Sequence, residues 1–211
     1  MQQPKKTKRA LSVSDILNFK PVLLDFEGAW LNSIGKPEAT GAWLIFGNTG
    51  NGKTRLAMQL ARYLTRFGKV AYDSLEEGLT ASMQRAIIDV GMRDVGNNFV
   101  LLDKEPITAL RERLKKKRTA PKFVFIDSVQ YTGLTIKAYK ELINDFPAVQ
   151  FIFISWADGQ LPKGALANAI YYDSFVHIRV EGFCGIITKS RYGGGADYIV
   201  WDKGYREYWK M

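Results

Sequence analysis

Between residues 42 and 156, short apolar runs alternate with longer stretches in which apolar residues recur every third or fourth position. The runs AWLIFG, KVAYDS, NFVLLD, KFVFIDS and QFIFISW have the length and the β-branched and aromatic content of strands buried on both faces. Between them, TRLAMQLARYLTRF puts Leu56, Leu60 and Leu64 on one helical face, and GLTASMQRAIIDVG, ITALRERLKKKR and TIKAYKELINDF also read as helices. Strict alternation of this kind predicts βαβ units and a mostly parallel sheet flanked by helices. After Trp156 the pattern changes. ADGQLPKGALANAI predicts a loop with a short helix, and YYDSFVHIRVEG, FCGIITKSRYGGG and ADYIVWDKG predict three strands, placed as antiparallel additions at the C-terminal edge of the sheet. Upstream, Ser12 or Ser14 caps a short helix over Asp15 to Phe19. The aromatic stretch FEGAWLNSIGKPEATG follows, and its Gly and Pro predict an irregular lid or platform. The chain thus divides into an N-terminal tail and lid-like segment (1–40), a regular core (41–200) and a C-terminal tail (201–211), with no internal repeat.

Charge narrows the partners. Thirty Lys and Arg against twenty-one Asp and Glu give a formal net charge of +9, a field that favours polyanions such as nucleic acid or anionic lipid. KKTKR at 5–9 reads equally as a localisation-like or DNA-touching tail and as a frayed solvated end. KKKR at 115–118 closes a helix, where cations meet the negative end of the dipole; a nucleic-acid-facing role is the alternative. One cysteine, Cys184, and one histidine, His177, leave no internal disulfide and no pair for zinc or a histidine-based triad. With no run of eighteen apolar residues and no secretion signal, a soluble cytoplasmic protein that does not engage a membrane is expected.

The sharpest local signal is GNTGNGKT, residues 47–54, between a buried strand and an amphipathic helix. Glycines at 47, 50 and 52 let backbone N–H groups curl around phosphates, and the following helix presents its positive end to them. The expected ATP-binding residues are Gly47, Asn48, Thr49, Gly50, Asn51, Gly52, Lys53, Thr54 and Arg55, with Lys53 reaching the β and γ phosphates and Thr54 coordinating Mg²⁺. A metal acid is expected at Asp127, where KFVFIDS ends. Ser128 follows it, so the group that polarises water is sought elsewhere. Glu76 or Glu77, in SLEEG after the next strand, arrives at the same sheet edge, and Glu76 is preferred. His177, Phe183 and Cys184 read as structural.

SLE at 74–76, VFIDSVQ at 124–130 and TKSRYGG at 188–194, together with the Gly-rich motif, resemble the RecA-like P-loop ATPase superfamily. Within it they are most similar to the branch of DnaB-type replicative helicases and RadA (Sms) repair ATPases, over roughly residues 41–200. The resemblance implies a RecA-like core with catalytic Lys53 and Glu76, and makes Arg191 an arginine finger and Lys189 its companion, both serving a neighbouring subunit's ATP. The alternative reading of Lys189 and Arg191 is a pair of edge-strand cations that discourage unwanted pairing. The resemblance also implies that Gln130–Thr135 and Ala157–Ala167, the latter with Lys163 between Gly159 and Gly164, face nucleic acid; a plain surface loop is the alternative for the second. Two departures stand out. The family's separate helical or zinc modules have no counterpart in these residues, and Ser155-Trp156 stands where a Ser-Gln-like pair usually senses the γ-phosphate. Trp156 cannot accept a hydrogen bond, but it can stack on a base. Tyr198, Trp201, Tyr205, Tyr208 and Trp209, mixed with Lys203, Arg206 and Lys210, suit docking on the body or the next subunit, and also contact with nucleic acid.

The expectation from sequence is an ATP-binding, Mg²⁺-dependent ATP-hydrolysing protein acting on single- or double-stranded DNA in replication, repair or recombination. It would work as a homo-oligomer, ring or filament, that shares ATP sites between subunits, with a replication or repair protein as a further partner. The alternatives are a nucleotide-dependent regulatory or loader protein that switches on a protein partner, and a small-molecule kinase using the same Gly-rich loop.

Overall fold

A computed structural model describes residues 9–116 and 118–211. Lys5 to Lys8 of the basic tail and Lys117 of the KKKR run lie outside the described residues. The strands are β1 (Gly41–Gly47), β2 (Val70–Ser74), β3 (Phe99–Asp103), β4 (Phe123–Asp127), β5 (Gln150–Asp158), β6 (Leu161–Pro162), β7 (Val176–Glu181), β8 (Cys184–Ser190) and β9 (Tyr198–Ile199). They form a sheet in the order β3-β2-β4-β5-β1-β7-β8-β9, with β6 paired to β5. The pairs from β3 through to β7 are parallel. β8 and β9 add antiparallel at the end.

Alternate residues of each strand feed opposite faces. Trp43, Ile45, Tyr72, Phe125, Ile152 and Ile178 pack on one side, under α2 (Gly28–Ile34), α3 (Lys53–Leu64) and α4 (Ala81–Asp89). Leu44, Phe46, Val124, Ile126, Phe151 and Phe153 pack on the other, under α5 (Ile107–Leu114), α6 (Ile136–Asp145) and α7 (Ala165–Asp173). Both cores consist of residues under a tenth exposed, so the central strands are apolar without interruption, as the sequence pattern required.

Three expectations change. FEGAWLNSIG does not stay irregular: residues 28–34 form α2, because Trp30, Ser33 and Ile34 find a buried place against the body. Trp30 stacks on Tyr198 at 4.0 Å, and Gly195 and Ala196 donate N–H groups to the carbonyls of Ser33 and Asn32. A Cβ at Gly194 would sit 2.7 Å from the Ser33 carbonyl, so the glycines after Arg191 serve close backbone approach. Second, Tyr171 to Asp173 belong to α7, and β7 runs parallel to β1 rather than antiparallel. The reason is topological: α7 carries the chain back to the edge where β5 began, so the next strand must point the same way. Third, the C-terminal tail contains α8 (Asp202–Trp209). Gly204 backs directly onto Trp201 and Phe183, and the Tyr208 ring lies where a Cβ on Gly182 would be. At the other end of the chain, α1 (Val13–Leu17) starts from Ser12, whose capping box with Asp15 is complete.

Candidate nucleotide site

β1 lies between β5 and β7, and β4 lies on the far side of β5. The carboxyl ends of β1, β2, β4 and β5 therefore deliver the Gly-rich loop, Glu76, Asp127 and Trp156 to one edge of the sheet, where open α/β folds hold their ligands. They line a cleft of about 550 Å³ together with Thr49, Gly50, Gly52, Thr54, Arg55, Glu77 and Phe183. Gly50 and Gly52 have φ of 80° and 97°, a conformation that costs an L side chain dearly. Gly52 is the N-cap of α3 and supplies no side-chain cap, which leaves first-turn N–H groups available to an anion.

The loop is anchored from an unexpected direction. Gly182 and Phe183 connect β7 to β8 with φ of 51° and 58°, the two positive values of a tight hairpin turn. Gly182 N–H donates to Asn51 Oδ1 at 2.8 Å, and Phe183 N–H donates to the Asn51 carbonyl at 3.1 Å. Asn51 Nδ2 in turn donates to the Thr49 carbonyl at 3.2 Å. The Asn51 side chain is thus a brace for the loop. Phe183, read from sequence as core, instead forms a wall of the cleft. Its signal was EGFCG, a short turn between two strand patterns, but nothing local tells that the turn lies beside residue 51.

Lys53 Nζ donates to the Asn48 carbonyl at 2.9 Å. Burial holds its pKa below the ordinary value, opposed in part by the negative charges of Asp127 and Glu76. Asp127 is pushed up to about 6, first by burial and then by Glu76, while a hydrogen bond from Tyr72 and the charge of Lys53 act against the rise. The Tyr72 hydroxyl donates to Asp127 Oδ2 at 2.5 Å, and its own pKa is driven well up by burial and by Asp127. Glu76 N–H donates to the Asp127 carbonyl at 3.0 Å. Glu76 Oε2 accepts from Ser128 Oγ at 3.0 Å and from Trp156 Nε1 at 3.2 Å. Tyr72, Ser128 and Trp156 escaped the sequence reading as supports of these carboxylates, because their partners lie 55, 52 and 80 positions away.

Lys189 and Arg191 are not in this cleft. Lys189 pairs with His177 across β7 and β8, and the Arg191 N–H donates to the Phe175 carbonyl, whereas Gly47 at the mouth of the loop pairs with Val180. Two strands across and three to five residues down, their backbones are roughly 14–20 Å from Gly47 by strand spacing and rise. A bulge leaves Thr188 unpaired between Ile187 and Lys189, and such bulges re-aim side chains. Lys189 Nζ donates to the Ser174 carbonyl at 2.7 Å, and the Arg191 guanidinium lies 4.9 Å from the Phe175 ring centroid. His177 is buried, 4.0 Å from the Tyr171 ring, and its pKa is lowered to about 4 by burial and then by Lys189.

Of the two loops, Gln130–Thr135 and Ala157–Ala167, the first meets the second through Gln130, whose Nε2 donates to the Lys163 carbonyl at 2.9 Å. No helix among the described residues is long and apolar enough to cross a membrane.

No protein-family model matches the chain, and no curated protein matches it in sequence. Solved structures do match. A KaiC-like protein of the hyperthermophilic archaeon Pyrococcus horikoshii superposes with a TM-score of 0.56 at 19% identity, over 77% of this chain and 85% of that one. The ATPase domain of a DnaB-like helicase gives 0.56 at 16% identity, over 79% and 83%. At these identities the likeness speaks for architecture alone, and that architecture is the RecA-like P-loop ATPase fold.

Proposed function

We propose that the chain binds ATP with Mg²⁺ in this cleft, hydrolyses it at a boundary between copies of itself, and acts on DNA. The observation that carries the reading is the convergence of Lys53, Thr54, Asp127 and Glu76 around one Gly-rich turn. Lys53 and the N–H groups from Gly50 to Thr54 take the phosphates, with a charge and a dipole already in place. Phe183, with Arg55 beside it, offers a flat wall for the base.

Thr54 and Asp127 supply two hard oxygen donors, a set that suits Mg²⁺, which keeps much of its shell as water and phosphate oxygen. Asp127 fits that role because its carboxylate is partly desolvated and oriented by Tyr72. When bound, Mg²⁺ neutralises phosphate charge and bridges phosphoryl oxygens. Glu76 orients and deprotonates the attacking water. Lys189 and Arg191 have no path to their own cleft, so their contribution falls to the ATP of a neighbour, where they stabilise charge developing in transfer.

Action on DNA rests on the net charge of +9, on the paired loops carrying Tyr131 and Lys163, and on the likeness to an ATPase domain of a DnaB-like helicase. The test combines mass in solution, with and without ATP and single-stranded DNA, with ATPase rates across protein concentration. The expected result is Mg²⁺-dependent turnover per subunit that rises where mass rises, and rises again with DNA. Tight nucleotide binding without turnover would instead make the protein a switch or loader. Concentration-independent phosphoryl transfer to a small acceptor would make it a kinase.

A further inference from the structure

Trp156 closes β5 at the position paired with Gly47. Because β5 runs between β1 and β4, the indole stands between the phosphate cradle and Asp127. Its Nε1–H reaches Glu76 Oε2, the same oxygen that Ser128 Oγ holds. An indole N–H only donates, so this contact fixes Glu76 as an acceptor and selects its rotamer.

The indole is itself held by two surface loops. Lys163 N–H and Ser155 Oγ donate to the Trp156 carbonyl at 2.8 and 2.9 Å. Tyr131 meets the ring edge to face at 5.8 Å, and Lys163 Nζ lies 5.8 Å from its centroid. Gln130 Nε2 donates to Ser155 Oγ at 2.9 Å. The ring plane is therefore set by Tyr131 from one loop and Lys163 from the other, and the ring edge aims the carboxylate.

We infer that Trp156 is a positioning residue for Glu76, holding its carboxylate in the orientation that takes a proton from water. The inference rests on the proposed hydrolytic role of Glu76. Stacking on a nucleobase, the use suggested by the aromatic ring alone, is not required by it.

Trp156→Phe keeps the ring against Tyr131 and Lys163 and removes only the donor. With the full chain, kcat is expected to fall about tenfold, the scale of one hydrogen bond to a charged group, while the dissociation constant of a fluorescent ATP analogue stays put. In the Glu76→Gln background the same substitution should add no further loss. A rise in KM at constant kcat, or losses that multiply in the double variant, would overturn the inference.

A second readout does not depend on turnover. Five tryptophans give five indole N–H signals in a proton–nitrogen correlation spectrum, and Trp156→Phe identifies one of them by its loss. Glu76→Gln should move that signal and leave the other four in place. If it stays where it was, the hydrogen bond is refuted even in an active protein. If the wild type turns over no ATP, the hydrolase reading fails by itself, and the indole signal still decides whether Trp156 holds Glu76.

Discussion

The carboxyl edge of the parallel sheet and the far end of β8 both carry cations, but they treat them differently. At the first, Lys53 faces two acidic groups across an open cleft, and burial raises Asp127 and lowers Lys53. At the second, Lys189 and Arg191 rest on the Ser174 carbonyl and the Phe175 ring, within their own chain. The first arrangement is poised for a polyanion. The second is complete without a ligand, and only another copy can bring a phosphate to it.

The largest expected effect breaks this contrast directly. Arg191→Ala should lose about a thousandfold in ATPase rate, the low end of what arginine fingers supply, with nucleotide affinity kept. Lys53→Ala should lose binding altogether. Mixed together, the two inactive variants should recover a measurable fraction of turnover, because a cradle from one meets a finger from the other. No recovery in mixtures shown by mass to be mixed oligomers would leave Lys189 and Arg191 as edge cations.

A smaller effect sharpens the first region. Glu76→Gln should lower kcat by about a hundredfold or more and leave the ATP dissociation constant unchanged, since Lys53 and the loop do the holding. Equal loss of binding would move Glu76 from water to nucleotide.

The smallest effect concerns stability. Asp127 and Asp73 sit at about 6 and about 7, each raised chiefly by burial. The folded chain thus binds these protons more tightly than the unfolded one. Their contribution to stability is fully present below the ordinary carboxyl range and is lost as pH rises through 6 to 7. Without nucleotide, the melting temperature should fall between pH 5 and pH 9, and Asp127→Asn or Asp73→Asn should each flatten that fall by about 2–4 °C, the scale of 1 kcal/mol in a chain of this size. A steeper fall in either variant would contradict the sign.

Much of the fold was legible because the central strands are continuous apolar runs and the helices carry one apolar face. GNTGNGKT and FVFID identified the loop and the metal acid through local chemistry. What sequence did not reveal was long-range. The direction of β7 is not encoded in VHIRV, since alternation is the same for parallel and antiparallel strands; the path of α7 decides it. Gly28 and Gly35 suggested irregular chain at a segment that tertiary burial of Trp30 and Ile34 makes helical. Trp156 looked like the loss of a sensing amide, and its indole N–H turned out to have a carboxylate partner 80 positions upstream.

The position of β1 has a consequence in time. The strand that opens the phosphate cradle is flanked by β5 and β7, and Asn51 is braced by the turn at Gly182 and Phe183. During synthesis, the motif at residues 47–54 leaves the ribosome long before any of these supports exists, and helix α3 alone cannot shape it. Such distant pairings form late and slowly. A nascent chain therefore gains affinity for nucleotide only when nearly all of it has emerged, and ATP, by binding the finished form, draws the last steps of folding to completion.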